Sequence, residues 1–293
     1  MDTILLEWHQ YLHQAFAAAT PEQRVPLHHL GIVPEPINGH WYTSAVLHGY
    51  PAARAGLRRG DRLLAADGQK FHPVQSLNAI TRRPGRDAGH ATILFEYERN
   101  GLRSATELLP VYENLFDSYR SATDASINRF ITGNKAVTYA HFWALSRSPA
   151  DLLYYRHLFN SVFRGSDALI LDLRHAYGYL DWQHTDPFFA SRRAFPAWPG
   201  AGGSAAPSIT PPPLEASAQV RRFEGPVVII CNEQTHGGAE EFLHRLATSP
   251  RVMLVGVGTE NVAVDFEQHH PVLTAGSVDA QFEAALNILL NVL

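Results

Sequence analysis

The 293-residue chain contains one cysteine, Cys231, and its lysines are Lys70 and Lys135 alone. A single cysteine excludes an intramolecular disulfide and any zinc site built from several thiolates. It leaves the redox compartment open. A charge excess of either sign is also missing, since 24 Lys and Arg against 28 Asp and Glu leave a net charge of −4. Without a basic block there is no electrostatic footprint for nucleic acid or for an anionic membrane surface. No stretch approaches the ~18 consecutive apolar residues that read as a membrane span. Neither partner class is expected. The remaining composition, 45% hydrophobic and 18% charged, is ordinary for a globular protein of one large or two modest domains.

The opening stretch MDTILLEWHQYLHQAFAAATPEQR has Asp2 where a secretory signal needs positive charge. Ile4, Leu5, Trp8, Leu12 and Phe16 recur at helical spacing. This predicts an amphipathic helix within residues 1–27 that stops before Pro21, and with it a cytoplasmic location. Residues 28–105 then alternate apolar and polar positions in short runs such as HWYTSAVL and ATILFEYER, punctuated by Gly-Asp and Asp-Gly turns. From 106 onward strands alternate with helices: AVTYAHFWAL, PADLLYYRHLFNSVF, DALILDLR, GPVVIICN, GAEEFLHRLAT and RVMLVGV. That alternation predicts an α/β core, 106–293, with largely parallel strands. Residues 181–222, which include GAGGSAAPSITPPP, read as a surface excursion, flexible in its middle.

The stretch GYPAARAGLRRGDRLLAADGQ, residues 49–69, resembles the signature of PDZ domains of the bacterial protease type. Pro51 and Ala52 open a short helix, Gly56 ends it, Gly60-Asp61 turns the chain into a strand and Asp67-Gly68 closes a hairpin-like turn. The resemblance implies peptide binding by strand addition, with backbone N–H groups gripping a terminal carboxylate. By resemblance the loop concerned is Leu30, Gly31, Ile32 and Val33.

The second half is similar to the S41 family, the carboxyl-terminal processing peptidases. DALILDLRHAYGYL matches that family's buried strand followed by Arg-Asn-Asn-Pro-Gly-Gly at Arg174 and Gly178, and departs from it at His175, Ala176, Tyr177 and Tyr179. CNEQTHGGAEEF stands where the family has Asn-Glu-x-Ser-Ala-Ser-Ala-Ser-Glu, and RVMLVGVGTENVAV leads where it has Gly-x-x-Thr-x-Gly-Lys-Gly. The resemblance implies a PDZ-like β-rich domain joined to an S41 and crotonase-like α/β core. It also implies pairing of two chains through the N-terminal helix as a homodimer.

The chemistry of that family is missing. Its nucleophilic serine lies three residues before the closing glutamate, and counting back from Glu240 lands on Gly237. Its lysine base aligns with Val262. Glycine cannot attack a carbonyl, and valine cannot take a proton. Neither lysine offers a replacement base, and Ser249 falls at a helix end beside Pro250. Thr235 stands two residues from the catalytic position, and Cys231 ends a buried strand, where a thiol behaves as a small hydrophobe. The pairs His28-His29 and His269-His270 point to opposite faces if they lie on strands, so no metal site is expected there. What remains is binding equipment: Gly178, His236, Gly237 and Gly238, whose N–H groups stand where an oxyanion hole would form.

Three readings stay open at this point, the last being a true peptidase with a nucleophile that the family pattern does not mark. The first is a non-catalytic peptide-binding protein that needs no cofactor and holds a peptide or protein terminus, such as a ribosomally made precursor presented to tailoring enzymes. The second is an enzyme that uses the cleft's N–H groups without a serine, with His236, Glu233 or Glu240 doing acid–base work.

Overall fold

A computed structural model of the chain describes residues 24–78, 92–195, 220–267 and 279–293. The stretch expected to form an N-terminal helix, the pair His269-His270 and the Pro-rich middle of the excursion lie outside them. The backbone divides into two units, one within residues 24–125 and one within 126–267 and 279–293.

Turn chemistry lays out the first unit. Its strands are β1 (Leu27–His29), β2 (Ile32–Ile37), β3 (His40–Val46), β4 (Arg62–Ala66), β5 (Gln69–Lys70), β6 (Ile93–Arg99), β7 (Leu102–Leu108) and β8 (Val111–Glu113). Asn38-Gly39, Asp67-Gly68 and Asn100-Gly101 all have positive φ, which makes two-residue hairpins of β2–β3, β4–β5 and β6–β7. The sheet runs β2-β3-β4-β6-β7, with β5 on β4. Asp61 is fully buried, and its carboxylate accepts from the Arg58 N–H at 2.8 Å and from Arg99 Nε at 2.7 Å. The sheet's inner face gathers Leu63, Phe71, Ile93 and Phe95 around the short helix Pro51–Arg54.

The expected domain edge at 105/106 moves to 125/126 in this division of the backbone. β8 pairs with β1, and Glu113 accepts from Tyr50 Oη and Ser118 Oγ, each at 2.8 Å. These bonds tie residues 111–118 to the first unit.

The second unit holds β9 (Asn128–Thr132), β10 (Lys135–His141), β11 (Ala144–Leu145), β12 (Ala168–Asp172), β13 (Tyr177–Gly178), β14 (Val227–Cys231), β15 (Val252–Gly256) and β16 (Phe266–Glu267). Its main sheet runs β16-β15-β14-β12-β10-β9, parallel except at β9. β12 and β14 are buried at every residue, as unbroken apolar strands covered on both faces must be. One face packs Leu169, Leu171 and Ile229 against Phe242 and Leu243 of the helix Gly238–Leu246. The other packs Ile170, Val228 and Ile230 against Ala285 and Leu289 of the helix Ala280–Val292. This is the α/β architecture that the alternation predicts. Residues 181–195 of the excursion are ordered in part, with a helix at Trp182–Thr185 capped by Asp181.

The carboxyl end of β12 carries a charge network on the second of these faces. Asp172 is fully buried, and Arg174 is 9% exposed. Arg174 donates from Nε to Asp172 Oδ1 at 2.9 Å, from Nη1 to Gln281 Oε1 at 3.1 Å and from Nη2 to Asp279 Oδ2 at 2.7 Å. Tyr139 Oη donates to Asp172 Oδ2 at 2.9 Å, and His141 Nε2 donates to the Arg174 carbonyl. Burial works against the Asp172 charge, but Arg174 outweighs it and holds the carboxyl well below its usual range. Asp279 also caps the helix Ala280–Val292 through the Phe282 N–H at 3.1 Å.

Two predictions follow from these burials. Replacing Asp172 by Asn keeps the shape but takes from Arg174 its fully buried carboxylate and leaves Asp279 as the one remaining, and should cost about 3–5 kcal/mol in urea unfolding. A loss below ~1 kcal/mol would refute the network's role. The second concerns His29 and His184, whose pKa values burial lowers to about 4. An unfolded histidine titrates near 6.5, so between that pH and about 4 the unfolded chain binds more protons than the folded one. Stability should therefore fall as pH drops through that window, each histidine contributing on the order of 3 kcal/mol. Unfolding curves that coincide at pH 7 and pH 4.5 would contradict this.

Candidate functional site

β14 ends at Cys231 and the helix Gly238–Leu246 begins seven residues later, so Asn232–Gly237 form a tight connection. Side chains stitch it to the turn that follows β12. Asn232 Oδ1 accepts from the His175 N–H at 3.1 Å and the Gln234 N–H at 3.3 Å. Thr235 Oγ1 donates to the Leu173 carbonyl at 2.7 Å and accepts from the Asn232 N–H at 3.2 Å. The His236 N–H reaches the Ala176 carbonyl at 3.1 Å. His175 takes φ 61 so that the chain can double back.

The glycines serve close approach. β13 pairs with β11, and the N–H groups of Tyr177 and Tyr179 donate to the Trp143 and Leu145 carbonyls. Alternation along the strand turns the Gly178 N–H the other way. A Cβ on Gly178 would sit 2.0 Å from the Leu145 oxygen, and one on Gly238 2.4 Å from the Leu180 nitrogen. Gly237, the position that the resemblance sets against a nucleophile, has φ 61 and ψ −133. That backbone is open to glycine and strained for other residues. A Cβ there would lie 3.2 Å from both the Gly178 oxygen and the edge of the Tyr177 ring.

Gly178, Gly237 and Gly238 thus come together, with His236 beside them. His236 is exposed, and its Nδ1–H donates to the Gln234 carbonyl at 2.6 Å, which leaves Nε2 outward. The residue that sequence reasoning missed is Tyr177. Its ring stands against His236 at 4.8 Å and Tyr179 at 6.2 Å between centroids. Burial, and then the hydrogen bond to Tyr179, push its phenol up to about 12. It is therefore neutral near pH 7. The signal available in the sequence was an aromatic residue directly before a glycine that faces another glycine pair.

The other candidates are occupied. Val262 is 6% exposed and belongs to the apolar core. Glu240 is buried, and its Oε1 accepts from Thr259 Oγ1 at 2.5 Å and the Asn261 N–H at 2.9 Å, which fastens the loop that carries Val262. Thr235 is committed to the turn, as described. Cys231 is fully buried, and burial pushes its thiol up to about 12. Ser249 is buried at the end of its helix, and Lys135 pairs with Asp167 at 3.8 Å. Glu233 is exposed. Among the described residues no cluster of His, Cys, Asp and Glu could hold a metal ion.

In the first unit, Leu30 is buried, and its carbonyl accepts from the Ala52 N–H at 3.0 Å. The Gly31 N–H donates to His29 Nδ1 at 3.1 Å, and His29 Nε2 passes its proton toward Ser118 Oγ at 3.0 Å. Gly31 has φ 74, and a Cβ there would fall 2.3 Å from that of Tyr50. Ile32 pairs with Val46, and Val33 with Ala45.

The family model for the PDZ domain matches residues 42–87. No curated protein matches the chain. Among solved structures, a putative S41 protease from Bacteroides fragilis NCTC 9343 is similar over 92% of this chain and 84% of its own, at TM-score 0.55 and 14% identity. The photosystem II D1 C-terminal processing protease is similar over 85% of this chain at TM-score 0.47 and 14% identity. This chain spans 64% of that protein's length. At such identities the likeness is one of fold: a PDZ domain in the first unit and an S41-protease-like α/β arrangement.

The glycine contacts are testable. Gly238→Ala forces its Cβ into backbone atoms and should destabilise the chain by more than ~3 kcal/mol. Gly237→Ala, strained but less crowded, should cost about 1–3 kcal/mol. Melting curves in which Gly238→Ala is the milder change would refute the packing described.

Proposed function

We propose that this chain binds peptide without cutting it. The observation that carries the reading is Gly237: a strand-to-helix turn of the kind that mounts a nucleophile, with no side chain at its apex and the Tyr177 ring packed where one would project. Val262 supports it, because an apolar side chain sealed in the core leaves no base at that position. Thr235 and Cys231 are both buried and bonded into structure, which removes the nearby substitutes.

The peptide is held at the turn, where the Gly178 and Gly238 N–H groups offer donors to a carbonyl and Tyr177, Tyr179 and His236 offer ring faces. By analogy of fold alone, the likeness to a putative S41 protease supports peptide as the ligand class. An enzyme working through the same N–H groups would need an acid–base group at hand. Glu240 is spent on the 259–261 loop, so that reading rests on His236 and Glu233 alone.

The test is incubation of the full chain with a denatured protein and a pool of unstructured peptides, followed by mass spectrometry of the bound and free fractions. The expected result is a set of retained peptides with unchanged masses. Cleaved or modified products formed over many turnovers, and lost on His236→Ala, would overturn the proposal in favour of an enzyme.

A further inference from the structure

Among the described residues, β2 is an outer strand of the first unit's sheet. A peptide that extends such a sheet pairs with the N–H and C=O groups that the outer strand turns away from its neighbour. The hairpin decides which residues those are. Asn38-Gly39 makes a two-residue turn, so Ile37 and His40 form its bonded pair. Bonded and unbonded pairs alternate, which makes Glu35 and Tyr42 the next bonded pair. The irregularity beyond Pro34 skips Ser44 on β3, so the alternation on β2 itself is unbroken. Gly31, whose carbonyl accepts from the Leu47 N–H at 2.7 Å, falls on the inward side as this count requires. The outward residues are therefore Ile32, Pro34 and Pro36.

Proline has no N–H. Along this edge Ile32 alone can donate, and at the other two positions an added strand would keep one bond of each pair. The head of the edge is short of donors as well. A carboxylate there is held by successive N–H groups, and of these the Gly31 N–H is taken by His29 Nδ1. Ile32 is 7% exposed, and Pro34 is also buried. Outer-strand prolines of this kind are a means of keeping a sheet from pairing with other chains.

We propose that the first unit of this chain is closed to strand addition and to capture of a terminal carboxylate. On the reading given above, that the chain holds peptide, recognition then belongs to the second unit and is indifferent to the client's C-terminus. Internal segments serve as well as chain ends.

The experiment uses the immobilised full chain and two matched libraries of random decapeptides, one with free C-terminal carboxylates and one with C-terminal amides. The wild type is expected to retain both alike. A preference for the free acids of roughly tenfold or more, equal to about 1.4 kcal/mol, overturns the proposal. If neither library is retained, the closure stands and the peptide-holding reading falls, so the two fail separately. A second arm restores donors with P34V/P36V, and with P36V alone at the exposed position should the double variant not fold. Either variant that folds is expected to retain both libraries severalfold better than the wild type. Retention equal to the wild type would overturn the assignment of the closure to the prolines.

Discussion

A guanidinium held almost out of water sets the geometry of the second unit. Arg174 is placed by the end of β12, where Asp172 takes its Nε and where Asp279 and Gln281 take the other arms of its fork. A buried charge of this kind is tolerable only when its partners are all present. The requirement fixes where the strand must stop, because the Arg174 N–H also returns to Asp172 Oδ1 at 3.0 Å. The chain then has to turn at His175, and the turn delivers Tyr177 and Gly178 to the neighbourhood of Gly237. The site's backbone is in this sense downstream of an ion pair on the opposite face of the sheet.

The site itself is made of absences that bring backbones together. Gly178 and Gly238 allow three stretches of chain to meet at distances no Cβ would permit, and a Cβ on Gly237 would be tight as well. At Gly237 the conformation is one that a serine or cysteine could hold only under strain, while glycine holds it at little cost. The strand-to-helix turn therefore has glycine at its apex, with the edge of the Tyr177 ring beside it. The side chains of Asn232 and Thr235 are bonded within the turn and to the segment after β12.

Much of the architecture was legible in the sequence because local chemistry decides it. Asp67-Gly68 reads as a turn, and Ala-Leu-Ile-Leu-Asp reads as a strand covered on both faces. Where partners lie far apart in the chain, the sequence is silent. Arg174 could be singled out by resemblance, but Asp279 stands 105 residues away and nothing local marks it as the other pole. Glu240 looked available for acid–base work until the loop at 259–261 closed on it. The tie between residues 111–113 and 27–29 was not legible because β1 and β8, three residues each, pair across more than eighty positions, and such short strands carry little signal. The prolines of β2 were visible throughout, yet their meaning depends on which way each residue faces, and only the hairpin register gives that.

The distance between Arg174 and Asp279 also has a meaning in time. A ribosome adds about 5–20 residues per second, so roughly 5 to 20 s of synthesis separate the two. By the end of that interval the strands β12, β14 and β15 have been made, yet the guanidinium at the head of β12 has Asp172 and not its distal partner. The helix Ala280–Val292, which covers the Ile170 and Val228 face, is still missing as well. The nascent second unit therefore presents a half-compensated charge beside an uncovered apolar sheet face until Asp279 emerges. Its vulnerable period is set by the length of chain between two residues.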